Sequence, residues 1–155
     1  MPTIEEMIAE VQQQEKNLQF DEFTADTALE IGLALIDRAK NENLAIAIDI
    51  RRNGHQLFHY SFQGTSPDND VWLQKKSNSV DRFGVSSYLY TLRLKKDNRT
   101  FQDAGLNPAE YAWGGGGFPL AIRNVGVVGS ICVSGLKDTD DHALIVWAIG
   151  KVISK

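Results

Sequence analysis

The chain of 155 residues contains one cysteine, four prolines and three histidines, and it has no excess of positive charge. A single cysteine excludes an intramolecular disulfide, and the apolar neighbours of Cys132 indicate a buried side chain in a protein of a reducing compartment. The net charge of −4 disfavours nonspecific nucleic-acid binding, so no nucleic-acid partner is expected. The length is typical of one domain, which we expect to cover 1–155.

Long uninterrupted apolar runs are also missing. Between Tyr111 and Leu136 the only charged residue is Arg123, but the stretch contains seven glycines and a proline, a composition typical of loops and strands rather than of a membrane-spanning helix. The first residues lack the basic and apolar regions of a secretory signal. We therefore expect a cytoplasmic protein with no membrane partner.

The charges that are present are unevenly distributed. Residues 1–30 contain eight acidic side chains against Lys16, whereas residues 71–100 contain seven basic side chains against two acidic ones. Two oppositely charged solvated faces would explain this pattern. A subunit interface where the two faces meet, or an anionic ligand on the basic face, would explain it as well.

Hydrophobic periodicity and turn signals predict the order ααββα(α)ββα. The predicted helices cover about 3–19, 24–43, 67–84 and the segment from 138 onward, capped by Asp138 or Thr139, and the strands cover 44–50, 56–62, 120–123 and 125–133. Asn53-Gly54 predicts a tight hairpin turn. Residues 86–98 fit a helix or a strand, and we favour the helix. Antiparallel hairpins among helices indicate an α+β domain.

The residues that carry chemistry form no known catalytic pattern. The spacings of the three histidines match no metal-binding signature, so no metal site is predicted. His59, between Phe58 and Tyr60, could ligate a haem iron, contact a carboxylate or serve structure alone. No Ser-His-Asp spacing is present, so the residues alone indicate no reaction and leave the question of an enzyme open.

The run Gly114–Gly117, followed by Phe118-Pro119, is the most unusual local feature. No Gly-Lys-Ser/Thr follows it and it precedes a strand, so it is not a nucleotide-binding P-loop. Four glycines in succession cost backbone entropy and are typical of a place where another group approaches the chain closely. We expect a packed loop at a subunit contact or at the rim of a pocket.

Several phrases taken in order resemble the UPF0303 family, a group within the haem-degrading, HbpS-like or GlcG-like superfamily. Among them are Leu57-Phe58-His59-Tyr60, Gly64-Thr65-Ser66-Pro67, Gly116-Gly117-Phe118-Pro119 and Asp140-Asp141-His142. The chain departs from the family pattern at Gly114 and Gly117, where a histidine and a serine are more familiar. The resemblance implies a profilin-like, three-layer α+β domain with a mostly antiparallel sheet flanked by helices, and a homo-oligomer.

The resemblance also implies a small-molecule-binding protein that holds haem or another flat, anionic ligand near the glycine run. On this hypothesis the site comprises His59 as iron ligand or hydrogen-bond partner, Arg51 and Lys76 as anion partners, Gly116 and Gly117 for close backbone approach, Phe118 as an apolar wall and His142 as a second polar group. Two alternatives stay open, namely an oligomeric adaptor without ligand chemistry and an enzyme that degrades haem.

Overall fold

The computed structural model describes all residues 1–155. The elements follow one another as α1 (Ile4–Asn17), α2 (Ala25–Glu42), β1 (Ala47–Arg52), β2 (His55–Ser61), α3 (Pro67–Phe83), α4 (Ser87–Lys96), β3 (Gly117–Ile122), β4 (Gly126–Ser134) and α5 (Asp138–Ile153). The predicted order is confirmed, and the ambiguous segment 86–98 is mainly the helix α4. None of the helices is both long and apolar enough to cross a bilayer.

The four strands form one antiparallel sheet in the order β2-β1-β4-β3. The turn between β1 and β2 is made by Asn53 and Gly54, whose φ angles of 51° and 77° are the left-handed pair that a type I′ hairpin requires. A bulge in β2 at Leu57 interrupts its register with β1. β1 then pairs with β4 on its other side, so the two predicted hairpins are joined into one sheet.

The two faces of the sheet are covered by different kinds of side chain. On one face, α2 and α5 pack on a cluster of 18 buried apolar residues, to which Ile48, Ile50 and Ile131 contribute from the strands. On the other face, α3 packs through a small apolar cluster of Leu73, Ala47 and Cys132 and through a hydrogen bond between two serines. The predicted α+β fold, with a sheet between helical layers, is confirmed.

The remaining helices extend the α3 layer. α4 lies against α3 and β3, and α1 packs on α4 through a second apolar cluster of Val11, Leu89 and Leu92. Both α1 and α2 begin with capping boxes, formed by Thr3 with Glu6 and by Thr24 with Thr27. The acidic N-terminal helix is therefore an outer element, attached mainly to α4.

Several predicted boundaries were wrong. α1 ends at Asn17, and the first strand starts at Ala47 rather than at residue 44, because Leu44 still donates its N–H to the last carbonyls of α2. β3 starts at Gly117, which pairs with Cys132, so the end of the glycine run is strand rather than irregular backbone. Lys137, without a side-chain cap, precedes α5, so neither Asp138 nor Thr139 caps this helix.

Candidate functional site

The structure separates the predicted site residues into two places on the α3 side of the sheet. Lys76, Gly116, Gly117 and His142 lie around the glycine loop, which is residues 114–117. Arg51 and His59 lie instead around the buried Asp49, which sequence reasoning did not select.

One cross-strand row connects the two places. His59 pairs with Asp49, Asp49 with Cys132 and Cys132 with Gly117. The Asp49 group and the glycine loop are therefore at opposite ends of a row that passes beneath α3.

The glycine loop is held by contacts within the chain. A Cβ atom on Gly116 would collide with the Lys76 ammonium, and one on Gly115 would lie 2.9 Å from Cβ of His142. Three loop amides have side-chain acceptors: Gly114 donates to Thr91 Oγ1, Gly115 to Asp138 Oδ2 and Gly117 to Ser87 Oγ. The groups that approach the backbone closely are therefore α3 and α5, and these three amides are not free to bind an anion.

Lys76 is not the free, flexible cation that the sequence predicted. Its side chain is 7% exposed, and Nζ donates to the Val133 carbonyl at 2.7 Å and to Asp141 Oδ2 at 3.1 Å. Asp141 Oδ1 accepts the N–H of Leu136 at 3.0 Å. Burial raises the pKa of Asp141 to about 6, because desolvation outweighs the attraction of Lys76. This buried ion pair ties α3 to the start of α5.

Beside this ion pair lies a cavity of about 330 Å³, which we call the α3–α5 cleft. The first turns of α3 and α5, the glycine loop and two tryptophans form its walls. Its lining residues are Asp68, Asn69, Trp72, Lys76, Trp113, Gly115, Ser134, Gly135, Leu136, Asp138 and Asp141. The volume is at the lower end of the range typical of small-molecule pockets, about 300–1,000 Å³.

The α3–α5 cleft has a negative balance of charge. Three carboxylates line it, on Asp68, Asp138 and Asp141, against the single ammonium of Lys76. The N-termini of α3 and α5 add roughly half a positive charge each. About one negative charge remains, so the cleft favours a neutral or cationic group over an anion.

His142 and Phe118 lie behind the cleft, in the interior. The imidazole of His142 is buried, and Nε2 lies 2.7 Å from Gln14 Oε1 of α1. Because that oxygen only accepts, Nε2 carries the proton, and the buried Nδ1 has no hydrogen-bond partner. Burial lowers the pKa of His142 to about 4, so the ring is neutral at pH 7. Phe118 is fully buried in the main core and forms no wall of the cleft.

The second place is the Asp49 cluster, which we define as Asp49, Arg51, Gln56 and His59. Asp49 is 1% exposed and accepts from Arg51 Nε at 2.7 Å and from Gln56 Nε2 at 2.6 Å, and His59 Nδ1 lies 3.3 Å from it. The side chains of Arg51 and His59 are 26% and 30% exposed. Nε2 of His59 lies 3.1 Å from Ser61 Oγ and 3.5 Å from the Asp70 carboxylate of α3.

The sequence does contain one signal for Asp49, because it is an acid inside an otherwise apolar strand, Ala47-Ile48-Asp49-Ile50. A buried carboxylate needs partners, and the basic Arg51 two residues later lies on the same face of the strand. That pattern predicts an ion pair, whereas the contributions of Gln56 and His59 depend on the hairpin register.

Haem, the ligand that the resemblance implies, does not fit the α3–α5 cleft. The lining contains no histidine, cysteine, methionine or tyrosine that could ligate iron, and its carboxylates would repel the propionates. No cluster of three or more His, Cys, Asp or Glu side chains could hold a metal ion either. The Asp49 cluster fits haem better, since His59 offers an accessible imidazole and Arg51 a cation for a propionate.

Comparison with known proteins gives consistent results. Residues 23–150 match the family described as "Haem degrading protein HbpS-like". A UPF0303 protein of Streptomyces coelicolor is 42% identical over 149 residues, covering 96% of this chain and 94% of that protein. A UPF0303 protein of Edwardsiella ictaluri is 45% identical over 150 residues, covering 96% of both chains.

Solved structures with the same fold include the Ybr137w protein, with a TM-score of 0.85 and 29% identity over 96% of this chain and 89% of that one. HbpS has a TM-score of 0.66 at 18% identity, covering 87% of this chain and 92% of its own. A PduOC:haem complex has a TM-score of 0.69 at 14% identity, covering 83% and 93%. The chain therefore belongs to the HbpS-like family and, within it, to the UPF0303 proteins.

Proposed function

We propose that this protein binds a small polar molecule in the α3–α5 cleft. The observation that carries the proposal is the position of the cavity, an open cleft lined by the first turns of two helices, by Gly115 of the glycine loop and by Trp72 and Trp113. The glycine loop that sequence analysis selected forms one wall of this site.

The charge of the cleft indicates which ligands it accepts. Lys76 is already paired with Asp141, whereas Asp68 has no recorded ion-pair partner and Asp138 accepts only a backbone N–H. An anionic ligand would therefore meet the carboxylates of Asp68 and Asp138. The Lys75 ammonium already lies 4.4 Å from the centroid of the Trp72 ring and the Lys95 ammonium 5.7 Å from that of Trp113, so the two rings offer their remaining surface to a flat group. The site thus favours a neutral or cationic ligand over the flat anion expected from the sequence.

A fluorescence titration tests this proposal with three probes that share one aromatic frame: benzylamine, benzyl alcohol and benzoate. We expect saturable quenching of tryptophan fluorescence that is strongest for benzylamine and weakest for benzoate. Trp113→Phe should reduce the response, whereas Trp147→Phe, which changes a tryptophan outside the cleft, should retain it. Tight, saturable binding of benzoate, or no saturable response to any probe, would contradict the proposal.

Haem binding at the Asp49 cluster is a second candidate function. The partly exposed imidazole of His59 supports it, together with the solved structure of a haem complex of the same fold. A haem bound there would supply an iron centre, and this chain would hold it with His59 as iron ligand, Asp49 as partner of the other ring nitrogen and Arg51 as a cation for a propionate. In the structure, Nε2 of His59 contacts Ser61 Oγ and the Asp70 carboxylate.

An absorbance titration with haemin tests this candidate. We expect a saturable Soret shift in the native chain and in His55→Ala, which changes an exposed histidine of the same strand. The shift should be lost in His59→Ala. If it survives in His59→Ala, another residue ligates the iron, and the role assigned to His59 is wrong.

A further inference from the structure

Asp49, His59 and Ser61 lie next to one another on the α3 side of the sheet. Asp49 of β1 and His59 of β2 are cross-strand partners, and Ser61 follows His59 by two residues, so its side chain is on the same face. Asp49 Oδ1 lies 3.3 Å from His59 Nδ1, and His59 Nε2 lies 3.1 Å from Ser61 Oγ. The imidazole therefore bridges a carboxylate and a hydroxyl, and this arrangement depends on the hairpin register.

The two contacts of the His59 ring determine which nitrogen carries its proton. The Asp49 carboxylate can only accept, so Nδ1 of the neutral ring carries the proton and Nε2 presents its lone pair to the Ser61 hydroxyl. That hydroxyl makes no other hydrogen bond. Ser61 Oγ thus donates to a base that a carboxylate orients, which is the relation of nucleophile, base and orienting acid in serine hydrolases.

Asp49 is held firmly enough to orient the ring. It is 1% exposed, and it accepts from Arg51 Nε at 2.7 Å on one oxygen and from Gln56 Nε2 at 2.6 Å on the other. Arg51 supplies the counterion of the buried carboxylate. A carboxylate held in this way can stabilise the imidazolium that forms when His59 takes a proton.

The hydroxyl and the amide of Ser61 are both accessible. Ser61 is exposed on β2, the terminal strand of the sheet. Phe62 donates its N–H to the Ile46 carbonyl, so alternation along the antiparallel pair directs the N–H of Ser61 off the edge of the sheet. This N–H can donate to the oxyanion that forms when Oγ attacks a carbonyl. A single donor predicts a modest rate, since each missing donor costs about 10²–10³-fold.

Asp70 of α3 is the other neighbour of His59 Nε2. Its Oδ1 lies 3.5 Å from Nε2, which is longer than the contact with Ser61. Nε2 of the neutral ring and a carboxylate are both acceptors, so no hydrogen bond joins them, and the Ser61 hydroxyl is the donor that Nε2 accepts. Once Nε2 has taken a proton, the Asp70 carboxylate attracts the imidazolium and so favours the transfer.

We propose that Ser61 and His59 are catalytic residues for the hydrolysis of a small ester or thioester, with Asp49 as the positioning residue. Ser61 Oγ attacks the carbonyl carbon, and its proton passes to His59 Nε2. The C–O or C–S bond to the leaving group then breaks, and Nε2 gives that proton to the departing atom, which leaves an acyl group on Ser61.

Water completes the reaction by the same path. It attacks the acyl carbon and gives a proton to Nε2, and Nε2 returns a proton to Ser61 Oγ as the carboxylic acid departs. An iron bound at Nε2 would occupy the atom that this chemistry needs. The hydrolase proposal and the haem candidate are therefore alternative uses of His59, and each can fail without the other.

Reaction of the full chain with p-nitrophenyl acetate tests the proposal. We expect nitrophenolate release that Ser61→Ala abolishes and that Ser154→Ala, at another exposed serine, leaves unchanged. Peptide mass mapping of acid-quenched samples should place an acetyl group on Ser61. His59→Gln should slow the reaction about 100-fold or more, whereas His55→Gln, at an exposed histidine of the same strand, should not. Release that neither Ser61→Ala nor His59→Gln reduces would overturn the proposal.

The positioning role of Asp49 has its own test. Asp49→Asn should lower the rate at saturating ester about tenfold or more, without changing the ester concentration at half that rate, because Asp49 acts through His59 and touches no substrate. Circular dichroism checks that this buried substitution leaves the protein folded. Gln56→Ala removes one donor to Asp49 and no charge, and it should lower the same rate by a smaller factor. Native rates in both variants would overturn the role of Asp49.

Discussion

Replacing Lys76 with methionine removes the only cation that lines the α3–α5 cleft. Methionine retains most of the apolar stem, so the change acts mainly on the ammonium group. That group donates to the Val133 carbonyl and to Asp141, both of which are buried. The substitution therefore leaves a carbonyl short of one donor and a carboxylate without its counterion.

The two losses differ in their dependence on pH. Leaving a buried carbonyl without its donor costs about 1–3 kcal/mol, at every pH. Asp141 can avoid being an unpaired buried charge by retaining a proton. Its pKa is already raised to about 6 with Lys76 present, and it rises further without the ammonium. Relative to the unsubstituted protein, in which Asp141 releases its proton above about pH 6, retaining the proton costs about 1.4 kcal/mol for each further pH unit.

The direction in which the free energy of unfolding changes with pH follows from the number of protons that the native and unfolded chains bind. In native Lys76→Met, Asp141 keeps a proton that the unfolded chain has released, so the free energy of unfolding falls as pH rises. In the unsubstituted protein the raised pKa makes the Asp141 contribution fall between about pH 4 and 6, after which it is constant. The difference between the two proteins should therefore be about 1–3 kcal/mol at pH 5 and should grow by up to 1.4 kcal/mol per unit from pH 6 to 8.

Urea unfolding followed by circular dichroism at pH 5, 6, 7 and 8 measures this difference. Lys96→Met, which changes an exposed lysine of α4, controls for loss of one positive charge. Lys76→Met combined with Asp141→Asn should lose the extra slope, because no titrating carboxylate remains. A pH-independent cost for Lys76→Met would refute the assignment of Asp141 as its buried counterion.

Three further predictions concern single residues. Burial lowers the pKa of His142 to about 4, so the ring is neutral and its NMR signals should not move between pH 8 and 5. Its contribution to the free energy of unfolding should fall as the pH drops from 6.5 toward 4. An NMR titration midpoint near 6.5 would contradict its burial. Gly115→Ala should cost about 2–3 kcal/mol in urea unfolding, because its Cβ would collide with the Asp138 carbonyl of α5. Gly105→Ala, with open space but a φ of +72°, should cost only about 1 kcal/mol, and equal costs would contradict the contact. Thr24→Ala should cost about 1 kcal/mol by thermal unfolding through loss of the α2 cap, and no change would indicate that the capping box is dispensable.

The local part of the fold could be predicted from the sequence because its signals are short in range. Asn53-Gly54 indicates the hairpin by its backbone preference, and Thr24 indicates the start of α2 by its capping geometry. The helix at 86–98 was favoured over a strand, and the Ser86 hydroxyl accepting the Leu89 N–H confirms its start. Boundaries were less accurate, since the start of β3 depends on the pairing of Gly117 with a residue far along the chain.

The site could be predicted only in part, because it depends on contacts between distant segments. Lys76 and Asp141 are 65 residues apart, and nothing in the local sequence of either predicts that they pair. Lys76 therefore looked like a free cation. The close approach of Lys76 explains why residue 116 is a glycine, as the sequence predicted for a place of close contact. Only the structure shows that the group approaching Gly116 is a side chain of the same chain.

The unequal covering of the two faces of the sheet has a consequence for how the protein opens. α2 and α5 are attached by a large apolar cluster, whereas α3 contacts the sheet through the small cluster of Leu73 with Ala47 and Cys132. Most of its other contacts with the sheet are polar, among them the Ser77–Ser130, Asn69–Ser134 and Lys76–Val133 hydrogen bonds. Stability within a domain is not uniform, and weakly attached elements detach as cooperative units before the rest unfolds. We therefore expect α3 to belong to a less stable foldon than α2 and α5, so that sub-global opening exposes the α3 side of the sheet while the apolar core stays intact.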